Sequence, residues 1–124
     1  MDELSGKHVL VIDDNEPIRN YLKYVLEKEG YTVEVAADGN EGLACFSHSG
    51  FDIVITDISM PGRDGIDTII AIRELNPAVR IVAISGVERS ERLLKIADFF
   101  SADATLIKPF TPDHLLAIIR NFKG

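Results

Sequence analysis

The sequence predicts an α/β fold, a doubly wound parallel sheet of five strands with five helices. Two observations carry this. Short apolar runs alternate with helical patterns from one end of the chain to the other. Four of those runs are unbroken, as in strands buried on both faces, and each stops abruptly at polar residues. The 124 residues are one domain's worth. A chain of that size buries roughly two thirds of the surface it exposes when unfolded.

The first run, Val9-Leu10-Val11-Ile12, ends at Asp13-Asp14. Asn15 then caps a helix that turns Ile18, Leu22, Val25 and Leu26 inward, with Gly30 as its C-terminal signal. Thr32-Val33-Glu34-Val35 is interrupted by a charge and suits an edge strand. A second helix runs from about Asn40 to His48 with Leu43 and Phe46 inward. Ile53-Val54-Ile55 stops at Thr56-Asp57. The third helix starts near Asp64-Gly65, uses Ile66, Ile69 and Ile70, and stops before Asn76-Pro77. Ile81-Val82-Ala83-Ile84 stops at Ser85-Gly86, and Leu93, Ile96, Ala97 and Phe100 mark a fourth helix over 88–100. Ala104-Thr105-Leu106-Ile107 stops at Lys108-Pro109. The fifth helix has Thr111 as N-cap, Pro112 at its first position, and a stripe of Leu115, Ile118, Ile119 and Phe122. With no linker, repeat or charge block between these units, residues 1–124 read as one domain, 1–6 being a short tail.

Composition narrows the function. Apolar residues make up 46% and charged residues 27%, which excludes a disordered chain. Twenty Asp and Glu against thirteen Lys and Arg leave a net charge of −7, so direct nucleic-acid binding is not expected. The single cysteine, Cys45, cannot form an internal disulfide and fits a reducing compartment. Met1-Asp2-Glu3-Leu4 is too acidic for a signal peptide, and no apolar run approaches the ~18 residues that span a bilayer. The expectation is a soluble, cytoplasmic domain with no membrane partner.

In a doubly wound sheet the site lies beyond the carboxyl ends of the strands. The residues there are Asp13-Asp14, Asp57, Ser85 and Lys108. Taken singly each has an ordinary explanation: a helix cap, a turn, a turn dipeptide, a solvated lysine. As a set they share one edge of one sheet. Three clustered carboxylates repel one another unless a cation sits among them. Hard oxygen donors without a nearby His or Cys favour Mg²⁺ over zinc. Asp57 can then present a free oxygen to phosphorus, with Lys108 and the Ser85 hydroxyl binding phosphoryl oxygens.

Those residues carry a resemblance. Val11-Ile12-Asp13-Asp14-Asn15, the segment Ile55-Thr56-Asp57 through Met60-Pro61-Gly62 to Asp64-Gly65, Ile84-Ser85-Gly86 and Ile107-Lys108-Pro109-Phe110 resemble, as a spaced set, the receiver domain of two-component response regulators. The resemblance implies a flavodoxin-like sheet of order 2-1-3-4-5 and a phosphorylation-dependent signalling switch. Asp57 is then the phosphoacceptor, charged by a histidine kinase or a histidine phosphotransfer protein. It implies Asp14 as the direct Mg²⁺ ligand, Asp13 as its water-mediated partner, and the Ser59 carbonyl as a further ligand. Ser85 becomes the switch hydroxyl, Lys108 the phosphoryl-binding cation, and Lys108-Pro109 a cis peptide. A downstream effector protein or domain would read the output, the chain being a monomer or weak dimer through its fourth and fifth helices. Two positions depart from the family: Thr105 stands where an aromatic is usual, and Ser101 where many members have Gly. Thr105 cannot swing a ring, so switching is expected to run through the loop 86–90.

Two other readings compete. A phosphatase with an aspartyl nucleophile generally needs a second acid two residues on, where this chain has Ser59. A phosphorylation-independent binding module does not require the intact Asp13, Asp14, Asp57, Ser85 and Lys108 set. His8, His48 and His114 are read as surface residues, Cys45 as a small helix residue, and Phe99-Phe100 as a pair of which one can lie exposed.

Overall fold

The structure is a computed structural model, and it describes residues 7–58, 65–86 and 102–122. Five strands form one parallel sheet: β1 (His8–Ile12), β2 (Thr32–Ala36), β3 (Ile53–Asp57), β4 (Arg80–Gly86) and β5 (Ala104–Lys108). The strand order is β2-β1-β3-β4-β5 and every adjacent pair is parallel. Four helices are described: α1 (Glu16–Lys28), α2 (Gly39–His48), α3 (Gly65–Leu75) and α4 (Pro112–Arg120). The helix expected over 88–100 lies outside the described residues, as do Ser59, Phe99, Phe100 and Ser101.

Alternation along each strand sorts the apolar side chains into two cores. Val9, Val11, Ile55, Val82, Ile84 and Leu106 pack with Leu22 and Leu26 of α1 and Leu115 and Ile119 of α4. Leu10, Ile12, Val54, Ile81 and Ala83 pack on the other face with Phe46 of α2 and Ile66, Ile69 and Ile72 of α3. Both faces of the central strands are covered, so β1 and β3 read as continuous apolar runs. β2 is an edge strand, as its interrupted pattern predicts. β5 is the other edge, and there the sequence reading needs correcting. Only Leu106 is fully buried in it, while Ile107 is 41% exposed.

Local chemistry sets the helix ends. Asn15 and Thr111 accept from the amides of Ile18 and His114, as expected of N-caps. Asp38 does the same for α2 through the Glu41 amide, 2.8 Å away, and starts that helix slightly before the expected Asn40. After α1 the chain turns through Gly30 at φ +97°, a left-handed conformation that glycine adopts without strain. Arg73 and Asp103 clasp the far end of the sheet. Asp103 accepts from Arg73 Nη2 at 2.9 Å and from the Ile81 amide at 2.8 Å, which ties the start of β5 to β4 and α3.

α3 begins against the end of β3. A Cβ on Gly65 would strike the Ile58 Cα and lie 2.6 Å from the Asp57 carbonyl oxygen. Both are backbone atoms and neither can yield without moving the strand end. Gly65→Ala is therefore expected to destabilise the fold by ~1–3 kcal/mol, the usual cost of overpacking. Its amide shift changes should centre on Asp57 and Ile58. Urea denaturation read against wild type, with amide spectra, checks this.

Candidate functional site

The strand order reverses between β1 and β3, and the crevice at that point opens beyond their carboxyl ends. Asp13 follows β1 and Asp57 ends β3. Alternation points both toward the α1 and α4 face, along with Lys108 at the end of β5. Lys108 Nζ donates to Asp57 Oδ2 at 2.7 Å and to Asp13 Oδ2 at 3.2 Å. Asp13 is 1% exposed and Asp57 3%, so these are buried charges joined across the sheet rim. The Lys108-Pro109 peptide is cis, as the resemblance implies.

Every polar atom of Asp13 is engaged. Its amide donates to the Ala36 carbonyl at 3.1 Å, and its Oδ1 accepts from the Asn15 amide at 2.9 Å. Its carbonyl accepts from Arg19 Nη1 at 2.8 Å. Burial nevertheless dominates and holds the Asp13 carboxyl above the ordinary value of 3.8. The Asn15 amide and Lys108 oppose that rise, and the Asp57 carboxylate adds to it. For Lys108, burial is the largest single influence and lowers its pKa. The hydrogen bond to Asp57 and the charges of Asp13 and Asp57 together outweigh it, so the ammonium holds its proton more tightly than a free lysine.

Asp14 is exposed at the mouth of the same cluster. Asp13, Asp14 and Asp57 can each offer a carboxylate oxygen within 4.8 Å of the others. Three hard oxygen donors at that spacing, with one of them still open to solvent, fit a hydrated Mg²⁺. Asp13 already spends both carboxylate oxygens on Asn15 and Lys108, which leaves Asp14 the freer donor.

Ser85 is brought to the same rim but not into the cluster. It is fully buried, and its hydroxyl donates to the Gly86 carbonyl at 3.2 Å. The register explains this. Asp57 is level with Ile84, so Ser85 lies one residue further on and points to the opposite face. Thr105, half-buried, pairs with Ala83 on that same opposite face.

The structure also places His8, Cys45 and Arg19. His8 is half-buried rather than a surface residue. Its ring lies 4.3 Å from the Phe51 ring, Nδ1 is 2.8 Å from the Gly50 carbonyl, and Nε2 is 3.0 Å from Glu34. Cys45 is an unpaired, half-buried residue of α2. Burial, with help from Glu34 and Glu41, pushes its thiol above the usual range, which makes it a poor nucleophile. Arg19 belongs to no motif, and an arginine one turn into a helix reads from sequence as a solvated charge.

The sheet order, the acidic rim at its switch point and the lysine across from it define a receiver-type α/β domain. The chain belongs to the response regulator receiver domain family, whose sequence profile matches residues 9–120. It is 31% identical over 121 residues to the transcriptional regulatory protein ResD of Bacillus subtilis, covering 97% of this chain and 49% of ResD. The chain thus spans about half the length of that relative. A CheY-like receiver domain protein from Methanospirillum hungatei superposes with a TM-score of 0.88 at 33% identity, over 94% of this chain and 92% of that one. The response regulator TrrA of Thermotoga maritima, solved in complex with Mg²⁺-BeF, gives 0.82 at 32% identity over 92% and 96%.

The raised Asp13 value has a consequence for stability. A carboxyl whose folded value exceeds its unfolded one favours the fold when protonated. That contribution is complete below 3.8 and is lost as the pH rises through the folded value. Asn at this position mimics the protonated form. In EDTA at pH 7, Asp13→Asn is expected to melt a few degrees above wild type, and the gap should close as the pH approaches 3.8. Thermal melts across that range check both the sign and the pH dependence.

Proposed function

We propose that this chain is a phosphorylation-operated switch whose output is protein binding, with Asp57 as the phosphoacceptor. The observation that carries the reading is the pairing of a buried Asp57 with Lys108 at 2.7 Å, inside the Asp13–Asp14–Asp57 cluster at the switch point. The donor class is a phosphorylated histidine, on a histidine kinase or a phosphotransfer protein. Asp57 Oδ forms the new P–O bond while the donor's P–N bond breaks, its electron pair leaving on the histidine nitrogen. Lys108 stays close to the transferred group and takes one of its oxygens in place of a carboxylate oxygen. Ser85 must turn its hydroxyl from the Gly86 carbonyl to reach another.

Asp14, Asp57 and the Ser59 carbonyl are the groups proposed to hold Mg²⁺, with Asp13 acting through water. When bound, the ion offsets the carboxylate repulsion and draws charge from the phosphoryl oxygens. TrrA, solved in complex with Mg²⁺-BeF, supports the choice of Mg²⁺ as the ion. Receiver domains are phosphoacceptor switches and generally not enzymes, and Ser59 offers no second acid for turnover of external substrates. A downstream effector protein or domain, a cytoplasmic setting and a receiver extending over 1–124 complete the reading. Among the described residues no helix is long and apolar enough to cross a membrane.

A small phosphodonor with Mg²⁺ is expected to add one phosphoryl group, on Asp57. Borohydride trapping and mass spectrometry locate it. Asp57→Asn should abolish the label, and Asp14→Asn should reduce it more than Asp13→Asn does. Label on another residue, or an undiminished signal in Asp57→Asn, would sink the assignment.

A further inference from the structure

The Asp13 carbonyl falls between two hydrogen-bond ladders. The β1–β2 pairing ends at Ile12 and Ala36. The first carbonyl of the α1 ladder is that of Asn15, which accepts from the Arg19 amide at 2.9 Å. Between them the Asp13 oxygen takes its donor from a side chain, Arg19 Nη1, at 2.8 Å. Long side chains on a helix lean toward its N-terminus, so an arginine one turn in reaches back over the loop that precedes it. The donor is charged and the contact half-buried, which makes this one of the stronger kinds of hydrogen bond.

The peptide plane that carries this oxygen also carries the amide of Asp14. Asp14 is exposed, and among the described residues its carboxylate has no hydrogen-bond partner. Among the described contacts, those that fix its place beside Asp13 and Asp57 act on the backbone. We propose that Arg19 is a positioning residue which, by fixing the Asp13–Asp14 peptide plane, sets the Asp14 carboxylate where a divalent cation binds. This rests on the reading of Asp14 as a ligand given above. A plain charge effect has the opposite sign. An arginine near three carboxylates repels a cation, so removing it for that reason alone would tighten binding, whereas loss of positioning weakens it.

Two variants of the full chain, Arg19→Met and Arg19→Lys, separate the two. Titrated with Mg²⁺ by calorimetry, Arg19→Met is expected to bind about tenfold more weakly than wild type, the usual effect of removing a group that orients a ligand. Arg19→Lys, which keeps the charge and a donor, should recover part of the loss. In metal-free amide spectra the Arg19→Met changes should centre on Asp14 and Asn15. The Asn15 amide, held by Asp13 Oδ1 at 2.9 Å, should exchange faster. Equal or tighter Mg²⁺ binding, or shifts spread along α1 with Asp14 and Asn15 unmoved, would overturn the proposal. If wild type itself binds no Mg²⁺, the ligand reading of Asp14 falls separately, and the metal-free spectra still decide whether Arg19 holds the peptide.

Discussion

One ammonium group holds the rim of this sheet together. Lys108 Nζ lies between Asp57 and Asp13, residues 51 and 95 positions away in the chain. Both carboxylates are almost wholly removed from solvent. Two ionised groups buried this way destabilise each other and the fold unless a cation compensates them. Lys108 supplies that compensation, and because it is itself 23% exposed it remains within reach of a solvent-borne group. The same arrangement that makes the site tolerable makes it switchable. On the proposed reading, a phosphoryl group on Asp57 would offer Lys108 new oxygens, and the contacts around Asp13 would redistribute.

The sheet is what brings these charges to one point. Parallel strands joined by helical crossovers all end on the same edge, and the reversal of order between β1 and β3 leaves a crevice there. Strand alternation then decides which rim residues face one another. Asp13, Asp57 and Lys108 fall on the α1 and α4 face, and Ser85 and Thr105 on the other. Gly65 lets α3 start directly against the Asp57 carbonyl, and Arg19 ties α1 to the carbonyl of Asp13. α1 and α3 thereby each touch backbone that presents the acidic rim.

Much of this was legible in the sequence. Unbroken apolar runs ending in Asp, Asp, Ser and Lys gave the strands and the rim together, and Asn15 and Thr111 marked two helix starts correctly. The limits have physical causes. Reading strands by hydrophobicity ended them too early, because Asp57, Ser85, Gly86 and Lys108 still take part in the ladder although their side chains are polar. β5 looked as buried as β3, since composition alone does not tell an edge strand from a central one when both are apolar. His8 looked like surface because its partners, Glu34, Gly50 and Phe51, come from other elements. Arg19 and Asp103 act on backbone groups, and such contacts leave no spacing pattern in a sequence. Thr105 is a good strand residue in its own right and stands out only against a family that usually places an aromatic there.

Lys108 and Asp57 stabilise each other across the rim, and a double-mutant cycle measures by how much. Wild type, Lys108→Met, Asp57→Asn and the double variant would be unfolded in urea with EDTA present. A coupling energy of about 1–3 kcal/mol is expected, with Lys108→Met costing markedly less once Asp57 is neutral. Additivity within about 0.5 kcal/mol would contradict it, for the two groups would then be neighbours without being partners.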